Sequence, residues 1–241
     1  MVKTSLNAMV FAAAAASVVG SGAVAGGFTP AVEEVAPIVE VAPALPMWQG
    51  GYVGGTLGYA FSGDDRVGLS PNAGGASYDV DKLKLSGLNG GIRAGYRWQR
   101  NAWVFGTELG IEGGNVKDSF STDGYDGSMK VKNVLALRSK IGRAMDNGLL
   151  VYGIGGIARG KFDYSVEGTG PAGVANINES FSKTGYIVGL GVEKMINERM
   201  SITGEYEYAN FGKTELNGTS GLATRATPDY HNIKVGVNFR F

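Results

Sequence analysis

Downstream of Trp48 the chain alternates between bulky apolar and small or polar side chains with a period of two, and it does so in eight stretches of about ten residues. In the first, Val53, Leu57, Tyr59 and Phe61 alternate with Gly54, Thr56, Gly58 and Ala60. The second, 88–98, sets Leu88, Ile92, Ala94, Tyr96 and Trp98 against Asn89, Gly91, Arg93, Gly95 and Arg97. The third, 103–112, sets Trp103, Phe105, Leu109 and Ile111 against Gly106, Glu108, Gly110 and Glu112. In the fourth, Val131, Leu135, Leu137 and Ile141 face away from Lys132, Ala136, Arg138 and Lys140. The fifth, 149–160, has apolar residues on both faces. Leu150, Tyr152, Ile154 and Ala158 make the larger set and are assigned to the apolar side, opposite Val151 and Ile157. The sixth places Tyr186, Val188, Leu190 and Val192 against Gly189, Gly191 and Glu193. In the seventh, Met200, Ile202, Tyr206 and Tyr208 oppose Ser201, Thr203, Glu205 and Glu207. The eighth alternates Ile233, Val235, Val237, Phe239 and Phe241 with Asn232, Lys234, Gly236, Asn238 and Arg240.

A helical period of any length is missing from this region, so the fold class is all-β. An even number of strands suits a closed antiparallel barrel. Connections between the stretches alternate in length. Gln99-Arg100-Asn101, the Asp146-Asn147-Gly148 turn and Asn197-Glu198-Arg199 are short, and Asn-Gly is a strong hairpin signal. The other connections, 62–82, 114–130, 161–180 and 212–229, are long, polar and rich in Gly, Ser, Asp and Asn. Short turns on one rim and long loops on the other are the pattern of outer-membrane barrels. The expectation is an eight-stranded antiparallel up-and-down transmembrane β-barrel with short periplasmic turns and four long, flexible extracellular loops.

Alternation alone fits a soluble lipocalin-like barrel equally well, with its apolar face inside. The second face decides between the two. It is Gly, Ala, Ser and Thr punctuated by single charges, whereas a water-facing wall carries many Lys and Glu. A narrow eight-stranded interior needs small residues and a few paired long ones. Arg93, Arg97, Lys132, Arg138, Lys140, Lys234 and Arg240 are therefore predicted to point inward, opposed by Glu108, Glu112, Glu193, Glu205 and Glu207. Unpaired, each would cost several kcal/mol. An ion-pair network follows, built on Arg93, Glu108, Arg138, Lys140, Glu193, Glu205 and Lys234, with Glu108, Arg138 and Glu205 near its middle. Aromatic residues are predicted at both membrane interfaces. Tyr96, Trp98 and Trp103 stand at the short-turn rim, and Phe61, Tyr208, Phe211 and Tyr230 towards the long-loop rim.

The N-terminus adds an address. Lys3, an apolar Ala-rich run and Ala23-Val24-Ala25 predict a secretory signal peptide over 1–25. Residues 26–47 carry Pro30, Pro37, Pro43 and Pro46 among Ala, Val and Glu, and predict an extended linker. The barrel domain occupies 48–241. Forty glycines in 241 residues would weaken an ordinary core, but glycines on the small face of narrow-barrel strands are a packing requirement. Zero cysteines exclude disulfides and thiolate metal sites, and 22 basic against 22 acidic residues argue against a nucleic-acid binder.

Trp48-Gln49-Gly50-Gly51-Tyr52-Val53-Gly54-Gly55, Leu137-Arg138-Ser139-Lys140-Ile141-Gly142, Gly204-Glu205-Tyr206-Glu207-Tyr208 and the C-terminal Val235-Gly236-Val237-Asn238-Phe239-Arg240-Phe241 carry a resemblance. Over about 48–241 the chain resembles the small outer-membrane β-barrel family, which includes the outer-membrane protein A transmembrane domain, the opacity proteins and surface proteins of alphaproteobacteria. The resemblance implies export through the periplasm to the outer membrane of a Gram-negative bacterium. It also implies recognition of Val235, Val237, Phe239 and Phe241 by the barrel-assembly machinery, and contact with membrane lipid and lipopolysaccharide. No peptidoglycan-binding domain is expected after the last strand.

Rival chemistries are weaker. Gly153-Ile154-Gly155-Gly156-Ile157-Ala158 matches a dinucleotide fingerprint in form, but no helix start follows it. His231 is the sole histidine and so the sole imidazole base for a barrel enzyme acting on lipid; its parity directs it to lipid. Asp64, Asp65, Asp118, Asp123, Asp126 and Asp229 fall in the long loops and read as solvated acids rather than a cation site. A filled bore argues against a small-solute channel. No catalytic residue, cofactor or metal is expected. The loops are left to carry envelope integrity or contact with host or phage surfaces.

Overall fold

The computed structural model describes residues 47–61, 65–71, 78–218 and 221–241. The signal peptide and all of the linker except Met47 lie outside the described residues, as does Asp64.

Eight strands close into an antiparallel ring: β1 (Gly50–Phe61), β4 (Gly87–Arg100), β5 (Trp103–Thr122), β6 (Tyr125–Ala144), β7 (Leu149–Gly170), β8 (Gly173–Met195), β9 (Met200–Asn210) and β12 (Asp229–Arg240). Neighbours in sequence are neighbours in the wall, and β12 pairs with β1 to complete it. The strands are staggered. A row followed from Val53 through Ala94, Leu109, Leu137, Ile157, Tyr186 and Asn210 reaches Asp229, which lies beyond the Phe61↔His231 pair at the far end of β1. Such stagger accompanies strand tilt in a closed barrel.

One rim has tight turns for local reasons. Asn101 takes a left-handed conformation (φ 54°), as does Gly148 (φ 72°). In the third turn the Asn197 side chain accepts from the Arg199 and Met200 amides at 2.9 and 2.8 Å.

The opposite rim departs from the expectation of four flexible loops. Two of the predicted loops are continuations of the wall. β5 and β6 run on to a two-residue turn at Asp123-Gly124 (φ 54° and 82°), and β7 and β8 continue to Pro171-Ala172. Asp-Gly supplies the two positive φ values that such a hairpin turn needs. The other two loops supply a second sheet in the order β10-β11-β2-β3, with β2 (Asp65–Pro71), β3 (Tyr78–Leu83), β10 (Thr214–Asn217) and β11 (Leu222–Ala226). Its β3 edge is tied to the extended wall. Tyr78 donates to Asp123 (2.7 Å), Thr122 to Asp81 (2.7 Å) and the Lys84 amide to Asp118 (2.6 Å). Leu69, Val80, Leu83, Leu216 and Leu222 from this region share one buried cluster with Val116, Met129, Val131, Phe162, Tyr164 and Ile177.

The wall therefore changes character along its length. At the short-turn end the outer face is apolar, with Leu57, Leu88 and Leu190 about 70% exposed, and the inner face holds buried charges. Beyond Ile111, Leu135, Ile157 and Tyr186 the outer face turns polar and the interior turns apolar. The inversion coincides with irregular register at Gly113/Val116 in β5 and Val131/Asn133 in β6. A bulge shifts which face a side chain meets. It turns Val131 inward and Lys132 outward, correcting the opposite assignment made from strict alternation. The fifth stretch is corrected too: Leu150, Tyr152, Ile154 and Ala158 are buried in the interior, while Val151 and Ile157 face out. Phe211 and Tyr230, expected at the rim, are buried in the upper core.

Candidate functional site

The interior of the lower barrel holds five cations, Arg93, Arg97, Arg138, Lys140 and Lys234, and five carboxylates, Glu108, Glu112, Glu193, Glu205 and Glu207, all buried. They stack in tiers. Nearest the short-turn rim, Arg97 is bidentate to Glu193 (3.1 and 2.7 Å). Its guanidinium lies 4.1 Å from the Tyr52 ring centre and 5.6 Å from that of Trp48. Glu193 also accepts from Asn238 (3.0 Å) and from Ser201.

The middle tier centres on Glu205. Arg93 Nη1 donates to both its oxygens (3.0 and 2.9 Å), Lys140 Nζ to one (2.8 Å) and the Tyr152 hydroxyl to the same one (2.6 Å). Lys140 bridges on to Glu108 (2.7 Å), which also accepts from the Tyr52 hydroxyl (2.8 Å). Arg93 uses its remaining donors on Asn238 (2.9 Å) and Thr203 (2.7 Å). In the upper tier Arg138 is bidentate to Glu207 (2.9 and 3.0 Å) and bonds Glu112, and Lys234 reaches Glu207 (2.6 Å) and Glu112 (3.1 Å). Asn89 and Asn232 then exchange hydrogen bonds (3.1 and 3.2 Å) beneath the apolar core.

The seven residues assigned to the network from sequence thus stand in one connected lattice, together with Arg97, Glu112 and Glu207. Lys132 is outside it for the reason given above. Arg240 sits at the rim, where it donates to the Glu198 carbonyl (2.6 Å). Tyr52 and Tyr152 belong to the lattice and were not anticipated. Their signal is the facing glycine. A methyl group at Gly95 would stand 2.6 Å from the Tyr52 ring, and one at Gly191 would stand 2.4 Å from the Tyr152 ring. Gly95 and Gly191 are sockets for these rings.

Two small cavities lie among the described residues of the lower barrel. A cavity beside Lys140 and one beside Glu112 measure about 10 Å³ each, around the least that a single water molecule needs. Above them Phe162 stacks on Phe181 (5.4 Å between ring centres) and meets Phe211 edge-on (4.9 Å).

On the outer face Tyr96, Trp98 and Trp103 are half-exposed at the short-turn rim, with Tyr96 and Trp98 in ring contact at 4.9 Å. Tyr208 stands at the other end of the apolar band, against His231 at 4.9 Å. His231 Nδ1 lies 2.7 Å from the Tyr206 hydroxyl, and the ring stacks on Phe61. Val235, Val237, Phe239 and Phe241 all face outward, and the Phe241 amide donates to Gly51 (3.1 Å). The glycine-rich run at Gly153–Ala158 is an interior length of β7. Asp163, on the outer face of β7, is held by two side chains. The bond from Lys132 (2.8 Å), then that from Ser180 (2.6 Å), hold its carboxyl below the usual Asp range.

A closed ring with a lipid-compatible exterior and a polar, paired interior defines an outer-membrane β-barrel, since closure leaves no unpaired backbone edge in hydrocarbon. The soluble lipocalin-like alternative is overturned, because the apolar side chains line the outside. The chain belongs to the outer membrane protein beta-barrel domain family, whose model it matches over residues 38–241. It is 32% identical over 206 residues to the 31 kDa outer-membrane immunogenic protein of Brucella melitensis, with 80% of this chain and 84% of the relative covered. The 22 kDa outer membrane protein of Rhizobium leguminosarum is 29% identical over 208 residues, with coverages of 83% and 82%. In fold it is similar to the outer membrane protein OprG of Pseudomonas aeruginosa (TM-score 0.51, 15% identity, 80% of this chain and 96% of that one). The protein is located in the outer membrane.

Proposed function

We propose that the protein is a non-enzymatic envelope barrel with a closed lumen, which stabilises the outer membrane and makes surface contacts through its extracellular β-structure. The carrying observation is the double seal: a neutral lattice of charges in the lower barrel, capped by an apolar core. A resident ion-pair lattice with cavities of about 10 Å³ supports a mechanical role over transport. The ordered second sheet gives host or phage ligands a shaped polar surface in place of flexible loops. That a Brucella relative is named an outer-membrane immunogenic protein supports a role at the cell surface.

During biogenesis the outward row Val235, Val237, Phe239 and Phe241 is the element for the barrel-assembly machinery to read. After insertion, outer-membrane lipid and lipopolysaccharide are the partners. Two measurements test the reading. The purified protein in planar bilayers is expected to give no stable open steps, and a deletion strain is expected to be detergent-sensitive with surface β-structure lost to antibody. Large, long-lived conductance steps would instead establish the channel reading. The enzyme reading is tested by His231→Ala, with an unchanged lipid A acyl profile expected.

A further inference from the structure

Beyond the apolar band the wall continues as a four-stranded sheet, β5-β6-β7-β8, with two unlike edges. The β5 edge is closed. Ser86 and Lys117 exchange backbone hydrogen bonds (3.3 and 3.1 Å), and the Lys84 amide and Thr122 hydroxyl reach Asp118 and Asp81 across the same seam. The β8 edge is open. β8 pairs with β7 from Lys194 to Gly173, but with β9 only from Met195 to Tyr186. The chain that would continue the second ladder is turned away. Gly212 is left-handed (φ 68°), its amide donates to the Asn210 side chain (2.9 Å), and Phe211 enters the upper core. The chain then runs on as β10 in the second sheet. It returns to β8 near the hairpin tip, where a methyl group at Gly218 would stand 2.7 Å from Ile177 and 3.0 Å from the Asn176 carbonyl. Between these points, residues 178–184 have no strand beside them among the described residues.

Proteins blunt such edges with proline, bulges or very short strands. Here 178–184 contain no proline, and the register with β7 is unbroken. The side chains carry a pattern instead. Asn178, Ser180, Ser182 and Thr184 are polar and exposed on the outer side. On the other side Phe181 is half-buried against Phe162, with Glu179 and Lys183 two residues to either side. These two charges stand about 13 Å apart along the strand, too far to pair with each other. Neither has an ion-pair partner among the described residues.

We infer that the β8 edge takes up an extended segment of another protein as an added strand, selected by charge. The segment sets a base beside Glu179, an apolar side chain beside Phe181 and an acid beside Lys183. A second copy of this chain is the poorer occupant. Two copies in one membrane both run β8 from the outer tip towards the membrane, so their edges meet only in parallel. In register, that sets Glu179 against Glu179 and Lys183 against Lys183, which is destabilising. The inference rests on the surface-contact role proposed above and names its mode of recognition; conductance and detergent sensitivity do not enter its test.

The test titrates labelled seven-residue peptides with the full protein in detergent and reads fluorescence anisotropy. Antiparallel to β8, Thr-Glu-Thr-Val-Thr-Lys-Thr sets all three side chains against their partners. One cross-strand charge pair is worth up to roughly fivefold in affinity. The mixed peptide is therefore expected to bind roughly fivefold tighter than Thr-Glu-Thr-Val-Thr-Glu-Thr, and Glu179→Lys to reverse that preference. Heat-modifiable gel migration shows that the variant folds. Amides of an added strand face its neighbour at alternate residues, so N-methylation of one alternate set is expected to abolish binding and of the other to spare it. Ser182→Cys is expected to stay monomeric under oxidation in intact outer membranes. No binding of the mixed peptide at millimolar concentration, equal affinity for the two peptides, an unchanged preference in Glu179→Lys or indifference to both methylation patterns overturns the inference. A disulfide-linked dimer of Ser182→Cys also overturns it, by assigning the edge to a second copy.

Discussion

Replacing Arg138 by Met isolates what the lumen lattice contributes. Arg138 is 1% exposed and makes two bonds to Glu207 (2.9 and 3.0 Å), one to Glu112 and a longer approach to Glu108 (3.9 Å). Removing it leaves four buried cations facing five carboxylates. Lys234 still reaches Glu207 and Glu112, but Glu207 loses its bidentate partner. Removing one partner from a buried pair costs roughly 3–5 kcal/mol, mainly because the other charge is left behind. Removing Glu207 as well restores equality, and replacing a whole buried pair by apolar groups is often close to neutral. Arg138→Met/Glu207→Met is therefore expected to be more stable than Arg138→Met, and to lie within about 2 kcal/mol of wild type. The assay is reversible urea unfolding in phospholipid vesicles, followed by tryptophan fluorescence and gel migration. The midpoint should move while the denaturant slope stays constant. An Arg138→Met cost below about 1 kcal/mol, or a double variant that loses the sum of the two single costs, would refute the lattice as the interior's stabilising element.

Other outcomes follow from the same geometry. Gly191→Ala drives a methyl group into the Tyr152 ring and is expected to cost roughly 1–3 kcal/mol, part of which returns in Gly191→Ala/Tyr152→Ala; the same unfolding assay measures it. Phe162→Ala removes a ring at the centre of the upper core and is expected to cost about 3–5 kcal/mol. Hydrogen exchange should show that loss in β5–β8 beyond the bulges, with the lower barrel still protected. Asp163 is outside the membrane, and its carboxyl is depressed by Lys132 and Ser180. A depressed acid stabilises the fold above its unfolded pKa, and that stability is lost as pH falls through the lower, folded value. Asp163→Asn should therefore lower the melting temperature slightly at neutral pH, and the difference from wild type should close as pH falls below the lowered, folded value of Asp163.

The lower barrel was legible because a membrane wall with a crowded lumen imposes the strictest alternation a sequence can carry. Arg93, Glu108, Arg138, Lys140, Glu193, Glu205 and Lys234 were placed together because each breaks a run of small residues on one face. The upper half was not legible by that logic. There the polarity of the two faces inverts, so Phe162, Tyr164 and Val166 alternate with Lys161, Asp163 and Ser165 yet pass for part of a polar loop. Asp123-Gly124 was a hairpin signal masked by the same polarity. Lys132 failed for another reason: parity counts residues, and a bulge adds one without any mark in composition. The fifth stretch misled because the lumen near the short-turn rim is apolar, holding Trp48, Val104, Leu150 and Ile154, so the larger apolar set lay inside.

The buried charges have a consequence before the protein ever folds. A chain bound for the outer membrane must first cross the inner one, where a run of about 20 apolar residues would be taken up as a transmembrane helix. Every wall strand here is apolar on one face, and all eight exceed ten residues. Charges and glycines placed at alternate positions dilute that apolarity, and mean hydropathy over the chain is −0.02. The hydrophobic surface exists only once the strands are paired and the two faces separate. The lattice that later fills the lumen thus doubles as camouflage, letting a membrane protein travel as a water-compatible polymer until it reaches the membrane it is meant for.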